Sequence, residues 1–78
     1  MQNMNTLKQD ESGTVSDMPV CRRLRDIGLI IGTKVTCIQK SPLGDPVAYL
    51  IRGAVIALRS EDSSRVLIDI SEVYDIER

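Results

Sequence analysis

The side chains with the widest chemical range in this sequence are its two cysteines, Cys21 and Cys37, because a thiolate can act as a nucleophile, a redox group or a metal ligand. The chain contains no histidine and therefore lacks the commonest general base near neutral pH. Ser–His and Cys–His nucleophile pairs are impossible within it, and its glycines form neither a phosphate-binding loop nor a dinucleotide-binding fingerprint. We expect a protein that is not an enzyme and has no catalytic residues.

A transition-metal site without histidine would have to combine Cys21, Cys37 and carboxylates. The two thiols are far apart in sequence and form no Cys-x-x-Cys pattern. Both positions suit small side chains packed in a core, which favours buried structural cysteines. Arg22 and Arg23 adjoin Cys21, and nearby cations lower the pKa of a thiol. A reactive thiol is the alternative that this arrangement leaves open.

Arg22, Arg23 and Arg25 form the one dense basic cluster of the sequence. They could be ordinary helix surface, in which Arg22 pairs with Asp26 four residues later, or a docking patch for an acidic partner. The formal net charge is −1 and the aromatic content is 3%. The basic excess and the stacking aromatics that are typical of nucleic-acid binding are therefore missing, and we expect no nucleic-acid partner.

The segment SPLGDP, residues 41–46, has the residue order of a type I turn, with Ser41 first, a proline second and a glycine fourth. Asp45 precedes Pro46 and is biased toward an extended conformation, so the segment is a stiff connection between two strands. Turn chemistry does not explain the apolar Leu43 at its centre. Leu43 either folds back as a plug over the end of the fold, the slightly favoured alternative, or projects as an anchor for a partner.

The elements that position these residues begin with a short helix, predicted over residues 19–27. Its apolar side chains recur at helical spacing and are Val20, Leu24 and Ile27. Pro19 suits the first helical position, where its missing N–H is no loss. Gly28 suits a left-handed C-terminal cap, after which Leu29 can fold back onto the apolar stripe.

Short strands are predicted for most of the remaining chain. They are residues 33–40, 47–52, 54–60 and 65–70, with Val35 and Cys37 sharing one face of the first strand and Val47, Tyr49 and Ile51 sharing one face of the second. Gly53 is expected to mark a bend or bulge, and residues 61–64 a polar turn. About five to six short strands with one short helix predict a mainly β fold, a small closed SH3-like barrel.

The 78 residues suit a single domain. Residues 1–5 are polar and expected to be frayed, and residues 6–78 form the domain, opening with two short extended pieces around a turn at residues 11–13. The acidic tail, residues 70–78, could be strand or helix. No apolar run is long enough to span a bilayer, and the first residues lack the apolar core of a signal peptide. We therefore expect a cytoplasmic protein with reduced cysteines.

The order of the motifs in residues 21–59 resembles the ferrous iron transport protein A family, the FeoA-like domains. The matching motifs are the helix end RLRDIGL, the strand start G-x-x-V at Gly32, the pentapeptide PLGDP from Pro42, and G-x-x-I-A-L-R from Gly53. Ile31 is a departure, because family members often carry proline there, and the tail after Asp69 lies outside the shared pattern.

The resemblance implies an SH3-like barrel and a small cytoplasmic accessory protein that supports ferrous iron uptake. The implied partner is ferrous iron transport protein B, a membrane transporter with a cytoplasmic GTP-binding domain, which would recruit the protein to the inner face of the membrane without direct membrane insertion. The candidate partner-binding residues are Leu43, Asp45, Arg22, Arg23 and Leu29. An uncapped edge strand would in addition permit a weak homodimer.

The family is also associated with transition-metal binding. The alternative function is therefore a small sensor or carrier that binds ferrous iron weakly through Cys21, Cys37 and carboxylates. Such a protein would be related to the C-terminal SH3-like domain of iron-dependent repressors. A redox-active thiol protein is a third possibility, which ranks with the metal carrier below the transporter partner.

Overall fold

The computed structural model of the chain describes residues 2–70, and its architecture is mainly β, as predicted. The elements in chain order are β1 (Gln2–Asn3), a 3-10 helix (Met4–Thr6), β2 (Ser12–Asp17), α1 (Arg22–Asp26), β3 (Lys34–Lys40), β4 (Val47–Ile51), β5 (Ala54–Leu58), α2 (Ser60–Ser63) and β6 (Leu67–Ile70). The strands form one six-stranded sheet in the order β1-β6-β2-β3-β4-β5, and every neighbouring pair is antiparallel.

The structure corrects the prediction of a closed barrel, because no hydrogen bonds join the two ends of the sheet among residues 2–70. β1 and β5 lie at opposite ends of the strand order and are not paired with each other in the described part of the chain. β1 contributes only two residues, too few to join the two ends of the sheet. Among residues 2–70, no helix has the length and apolar character needed to cross a membrane.

The core is aliphatic except for one tyrosine and follows the predicted strand alternation. Val35 and Cys37 of β3 and Val47, Tyr49 and Ile51 of β4 are all buried. Successive members of each set are two residues apart and therefore lie on the same face of their strand. These residues form one cluster with buried side chains from β2, α1 and β6. The sheet thus curls its apolar face around a single core.

The first residues correct the prediction of a frayed terminus. Gln2 and Asn3 pair with β6, and the side chain of Met4 is fully buried. The chain does not reverse at residues 11–13, because Ser12 and Gly13 already lie in β2. The reversal comes earlier, at Asp10, whose φ is 70°. Of the predicted tail, residues 71–78 lie outside the described residues.

Helix α1 begins later than predicted, at Arg22 rather than Pro19. Cys21 has φ −144° and ψ 112°, an extended backbone, and acts as the N-cap residue. Because the residues before Cys21 are not helical, Val20 does not join the apolar stripe, and its side chain is 95% exposed. The stripe therefore reduces to Leu24, which is buried, and Ile27, which packs against the core.

The C-terminus of α1 matches the prediction. Gly28 has φ +98°, and its N–H donates to the Arg25 carbonyl at 2.9 Å, while the Leu29 N–H donates to the Leu24 carbonyl at 3.0 Å. These two bonds and the buried Leu24 and Leu29 side chains are those of a Schellman motif.

Two turns differ from their predictions. Gly53 is not a bulge within a strand, because Ile51 pairs with Ala54 and Arg52 and Gly53 form a two-residue hairpin turn. Both have positive φ, 50° and 84°, as a type I′ turn requires. The register shifts of the sheet lie instead in β3, between Cys37 and Gln39, and in β2, between Val15 and Asp17. The predicted polar turn at residues 61–64 is largely the single helical turn α2.

Candidate functional site

The loop between β3 and β4, residues 41–46, presents Leu43 to solvent. The Gly44 N–H donates to the Ser41 carbonyl at 2.8 Å, which closes the predicted turn. Leu43 is not among the residues with positive φ, so the turn is type I rather than type II. The Leu43 side chain is 94% exposed. The plug hypothesis is therefore wrong: the turn closes through its own backbone, and Leu43 projects from it.

Asp45 fastens this loop to a distant part of the chain. One of its carboxylate oxygens, Oδ1, accepts the N–H of Ser60, the first residue of α2, at 2.8 Å. The backbone N–H groups at the start of a helix have no acceptor within the helix. The bond therefore supplies an acceptor to the Ser60 N–H and fixes the carboxylate of Asp45. The Asp45–Pro46 peptide bond is cis. Asp45 thus has a structural partner within the chain and positions the loop that carries Leu43.

Helix α2 is tied in turn to α1. Arg23 Nη2 lies 2.7 Å from Asp62 Oδ1, with the arginine side chain 73% exposed and the aspartate side chain 15% exposed. An ion pair this open to water contributes about 0.2–1 kcal/mol to stability. Its main consequence is therefore geometric, because it orients Arg23 over α2. The predicted Arg22–Asp26 pair is not formed within the described part of the chain, and both residues are exposed.

These contacts bring three of the predicted partner-binding residues into one surface. The loop 41–46, α2 and α1 are linked in series by Asp45–Ser60 and Asp62–Arg23, and we call this surface the loop–helix face. It carries the exposed Leu43, the carboxylate of Asp45 and the guanidinium of Arg23. Arg22 is exposed as well, but adjacent residues of a helix do not share a face. An apolar anchor and basic groups on a held framework are features of a protein-docking surface.

The structure corrects the prediction for Leu29, another of the residues expected to contact a partner. Its side chain is fully buried, because the Schellman motif folds it back onto Leu24. Burial removes it from any surface at which a partner could bind. The same fold-back was predicted from the sequence, and the structure shows that it leaves no part of the side chain exposed.

The cysteines are placed as structural residues. Cys37 is fully buried in the core, and Cys21 is half-buried and packs against it. Burial raises the pKa of the Cys37 thiol, with Asp10 and Glu11 acting in the same direction and Lys40 opposing them. A thiol held protonated at neutral pH is a poor nucleophile and a poor metal ligand. The redox hypothesis therefore has no support at Cys37.

The part of the chain that the structure describes does not gather metal-donating side chains around these thiols. Within residues 2–70, no group of three or more cysteine, aspartate or glutamate side chains is placed to hold a metal ion. Ferrous iron prefers several donors that converge on one point. The described residues bring no such donors together, so we assign no metal ligands to Cys21 or Cys37.

One apolar surface was not predicted from the sequence. Pro19, Val20, Ile30 and Ile31 line a shallow groove of about 360 Å³ beside Arg25, and we call it the apolar patch. Ile30 and Ile31 are 46% and 63% exposed. Their sequence IGLIIG looks like core. The one available signal was the pair of glycines, Gly28 and Gly32, which bracket a loop rather than a strand.

A model of the FeoA domain family matches residues 2–70. A relative from Porphyromonas gingivalis (strain ATCC BAA-308 / W83) is a Fe(2+) transport protein A/Fe(2+) transporter FeoB fusion protein. It is 33% identical over 49 residues, which are 63% of this chain and 6% of the relative. This chain therefore corresponds to a small fraction of that relative's length.

Two solved structures share the fold. The NMR structure of an FeoA-like protein from Clostridium acetobutylicum superposes with a TM-score of 0.85 at 24% identity, covering 96% of this chain and 92% of that one. The crystal structure of Stenotrophomonas maltophilia FeoA complexed with zinc has a TM-score of 0.76 at 26% identity, covering 88% and 91%. That protein is described as a prokaryotic SH3 domain protein, which confirms the predicted SH3-like fold class.

Proposed function

Because this chain belongs to the FeoA domain family, we propose that it is a cytoplasmic, non-enzymatic accessory protein of ferrous iron uptake. It docks on the cytoplasmic GTP-binding region of ferrous iron transport protein B and modulates transport. In this role it is recruited to the inner face of the membrane by its partner and does not insert into the bilayer itself.

The observation that carries the proposal is the fusion of an FeoA part and an FeoB part in the relative from Porphyromonas gingivalis. Joining two domains in one chain raises the concentration of each around the other to about millimolar for a short flexible linker. Such a fusion is maintained where the two parts act together. An FeoA-like part that is not joined to its partner would obtain the same proximity by binding.

The loop–helix face is the surface that we assign to this docking. Leu43 offers an almost fully exposed apolar side chain on a turn closed by the Ser41–Gly44 bond. Asp45 holds the turn against α2, so little conformational freedom remains to be lost on binding. Arg23 adds a guanidinium that stays 73% exposed beside its partner Asp62, and its charge steers association with an acidic surface.

Leu43→Glu tests this assignment. We expect at least about a tenfold loss of affinity for the isolated cytoplasmic domain of the transporter, because the substitution places a charge at the centre of an apolar contact. The fold should be unchanged, because the side chain is 94% exposed. The measurements are calorimetric titration with the GTP- and GDP-bound domain and the thermal melting temperature of the variant.

The matched control is Ile31→Glu, which introduces the same charge on the apolar patch at a side chain that is 63% exposed. It should bind as the wild type does. Loss of binding by Ile31→Glu with retention by Leu43→Glu would move the docking surface to the apolar patch. If the wild-type chain binds the domain in neither nucleotide state, the proposed function itself is wrong.

A further inference from the structure

We propose that the open edge of β5 pairs, antiparallel, with β5 of a second copy of this chain. β5 is the last strand of the sheet order, and its sequence AVIAL carries neither charge nor proline. Ala54, Val55 and Ala57 are exposed. Natural proteins blunt such edges with charges, prolines, very short strands or a covering element. The opposite edge, β1, is short and polar, whereas β5 has none of these protections.

No other element of the described chain forms backbone hydrogen bonds with this edge. The backbone hydrogen bonds that lie outside helices and strands involve no residue of β5 among residues 2–70. Helix α1 stands beside β5 across a groove of about 430 Å³, with Arg23 and Ile27 on the helix side and Ile56 on the strand side. The edge is therefore open to an incoming strand.

The hairpin turn determines which backbone groups point outward. Ile51 pairs with Ala54 across the two-residue turn, so these two form a hydrogen-bonded pair. Hydrogen-bonded and non-hydrogen-bonded pairs alternate along an antiparallel ladder. Ala54 and Ile56 therefore direct their N–H and C=O groups toward β4. Val55 and Ala57 direct theirs toward the open edge.

This pattern is self-complementary about Ile56, the middle residue of β5. A two-fold axis through Ile56 places Val55 of one copy opposite Ala57 of the other. Each of these pairs has its backbone groups facing its partner, which gives about four inter-chain hydrogen bonds. On the outer face, Val55 already pairs with Leu50 across the hairpin, and the second copy extends this apolar row with an alanine.

The charges flanking β5 are compatible with the same register. Arg59 of one copy lies opposite Gly53 of the other, so no two arginines face each other. The paired surface is a single short strand, well below the roughly 1,200–2,000 Å² of a stable interface. The dimer is therefore weak and depends on concentration.

Disulfide trapping tests the register. In a Cys21→Ser background, Val55→Cys chains are mixed with Ala57→Cys chains and oxidised. Directly opposed residues have Cα atoms about 5.5 Å apart, within disulfide range, whereas two copies of residue 55 lie beyond about 7 Å. We expect the mixture to give several-fold more dimer than either variant alone. Equal yields from the mixture and the single variants would overturn the proposed pairing.

Sedimentation equilibrium of the full chain tests the association without crosslinking. The weight-average mass should rise with concentration for the wild type, and Val55→Lys should abolish the rise because it places a charge at the unprotected edge. Ile31→Lys is the matched control, since Ile31 and Val55 are both 63% exposed, and it should associate as the wild type does. A wild-type chain that stays monomeric, or equal loss in both variants, contradicts the proposal.

Discussion

Tyr49 and Cys37 lie opposite each other in β4 and β3, and the ionisation of these two residues makes the stability of the core depend on pH. Both side chains are buried. Burial raises the pKa of Tyr49 above its ordinary 10.0, against the effect of the nearby Ser63 hydroxyl. Burial also raises the pKa of Cys37 above its ordinary 9.0. The folded protein therefore binds both protons more tightly than the unfolded chain does.

The sign of the resulting pH dependence follows from linkage. The unfolded chain releases these protons first as the pH rises, so the stabilisation is complete below the ordinary pKa values of 9.0 and 10.0 and is lost above them. We expect the melting temperature of the wild type to fall between about pH 9 and pH 11. Tyr49→Phe, which cannot ionise, should fall less steeply over this range. Identical slopes in thermal melts of the two proteins would contradict the prediction.

At the scale of elements, the chain depends on local backbone geometry at the ends of its short helices and strands. Helix α1 has five residues, of which Leu24 is buried, and its C-terminus is held by the Schellman motif at Gly28. A β-carbon at Gly28 would lie 2.5 Å from Cδ of Arg52, in the hairpin turn. The helix end and the β4–β5 hairpin thus pack against each other at a position without a side chain.

Gly28→Ala should lower the free energy of unfolding by more than Gly32→Ala does. Both glycines have positive φ, +98° and +95°, so both variants incur the conformational penalty of about 1–2 kcal/mol. A β-carbon at Gly32 meets no atom within 4 Å, whereas one at Gly28 displaces Arg52. Chemical denaturation of the two variants measures the difference. Equal losses would mean that Arg52 moves aside without consequence.

At the scale of the whole molecule, tertiary contacts between segments far apart in sequence build the loop–helix face. The Asp45–Ser60 bond joins the β3–β4 loop to α2, and the Asp62–Arg23 pair joins α2 to α1. Neither contact lies in the core cluster. The fold can therefore persist when the loop is released, so an effect on partner binding can be measured separately from an effect on stability.

Asp45→Ala should weaken transporter binding while leaving most of the stability in place. The variant keeps Leu43 but frees the loop, so binding must restrict a segment that the wild type already holds. We expect a loss of affinity of about three- to tenfold, smaller than that of Leu43→Glu, with a modest fall in melting temperature because one exposed hydrogen bond is removed. Affinity equal to that of the wild type would show that the bond does not position the loop for binding.

Local sequence patterns determined the parts of this protein that depend on near neighbours. Alternating apolar residues predicted the buried faces of β3 and β4, a glycine after an apolar stripe predicted the left-handed cap at Gly28, and the residue order SPLG predicted the turn at residues 41–44. Each of these depends on φ preferences or on a periodicity of two to four residues. The order of the motifs was likewise enough to predict membership of the FeoA domain family.

Only the tertiary structure decided which side chains reach the surface and which distant segments meet. It buried Met4 beside β6, left Val20 and Leu43 exposed, paired Asp45 with Ser60, and left β5 at an open edge. Burial and contact at these positions are set by the path of the chain around the core, which local periodicity does not encode. Leu43 in particular points into solvent because its turn closes through the Ser41–Gly44 backbone hydrogen bond and because Asp45 fastens the loop to α2.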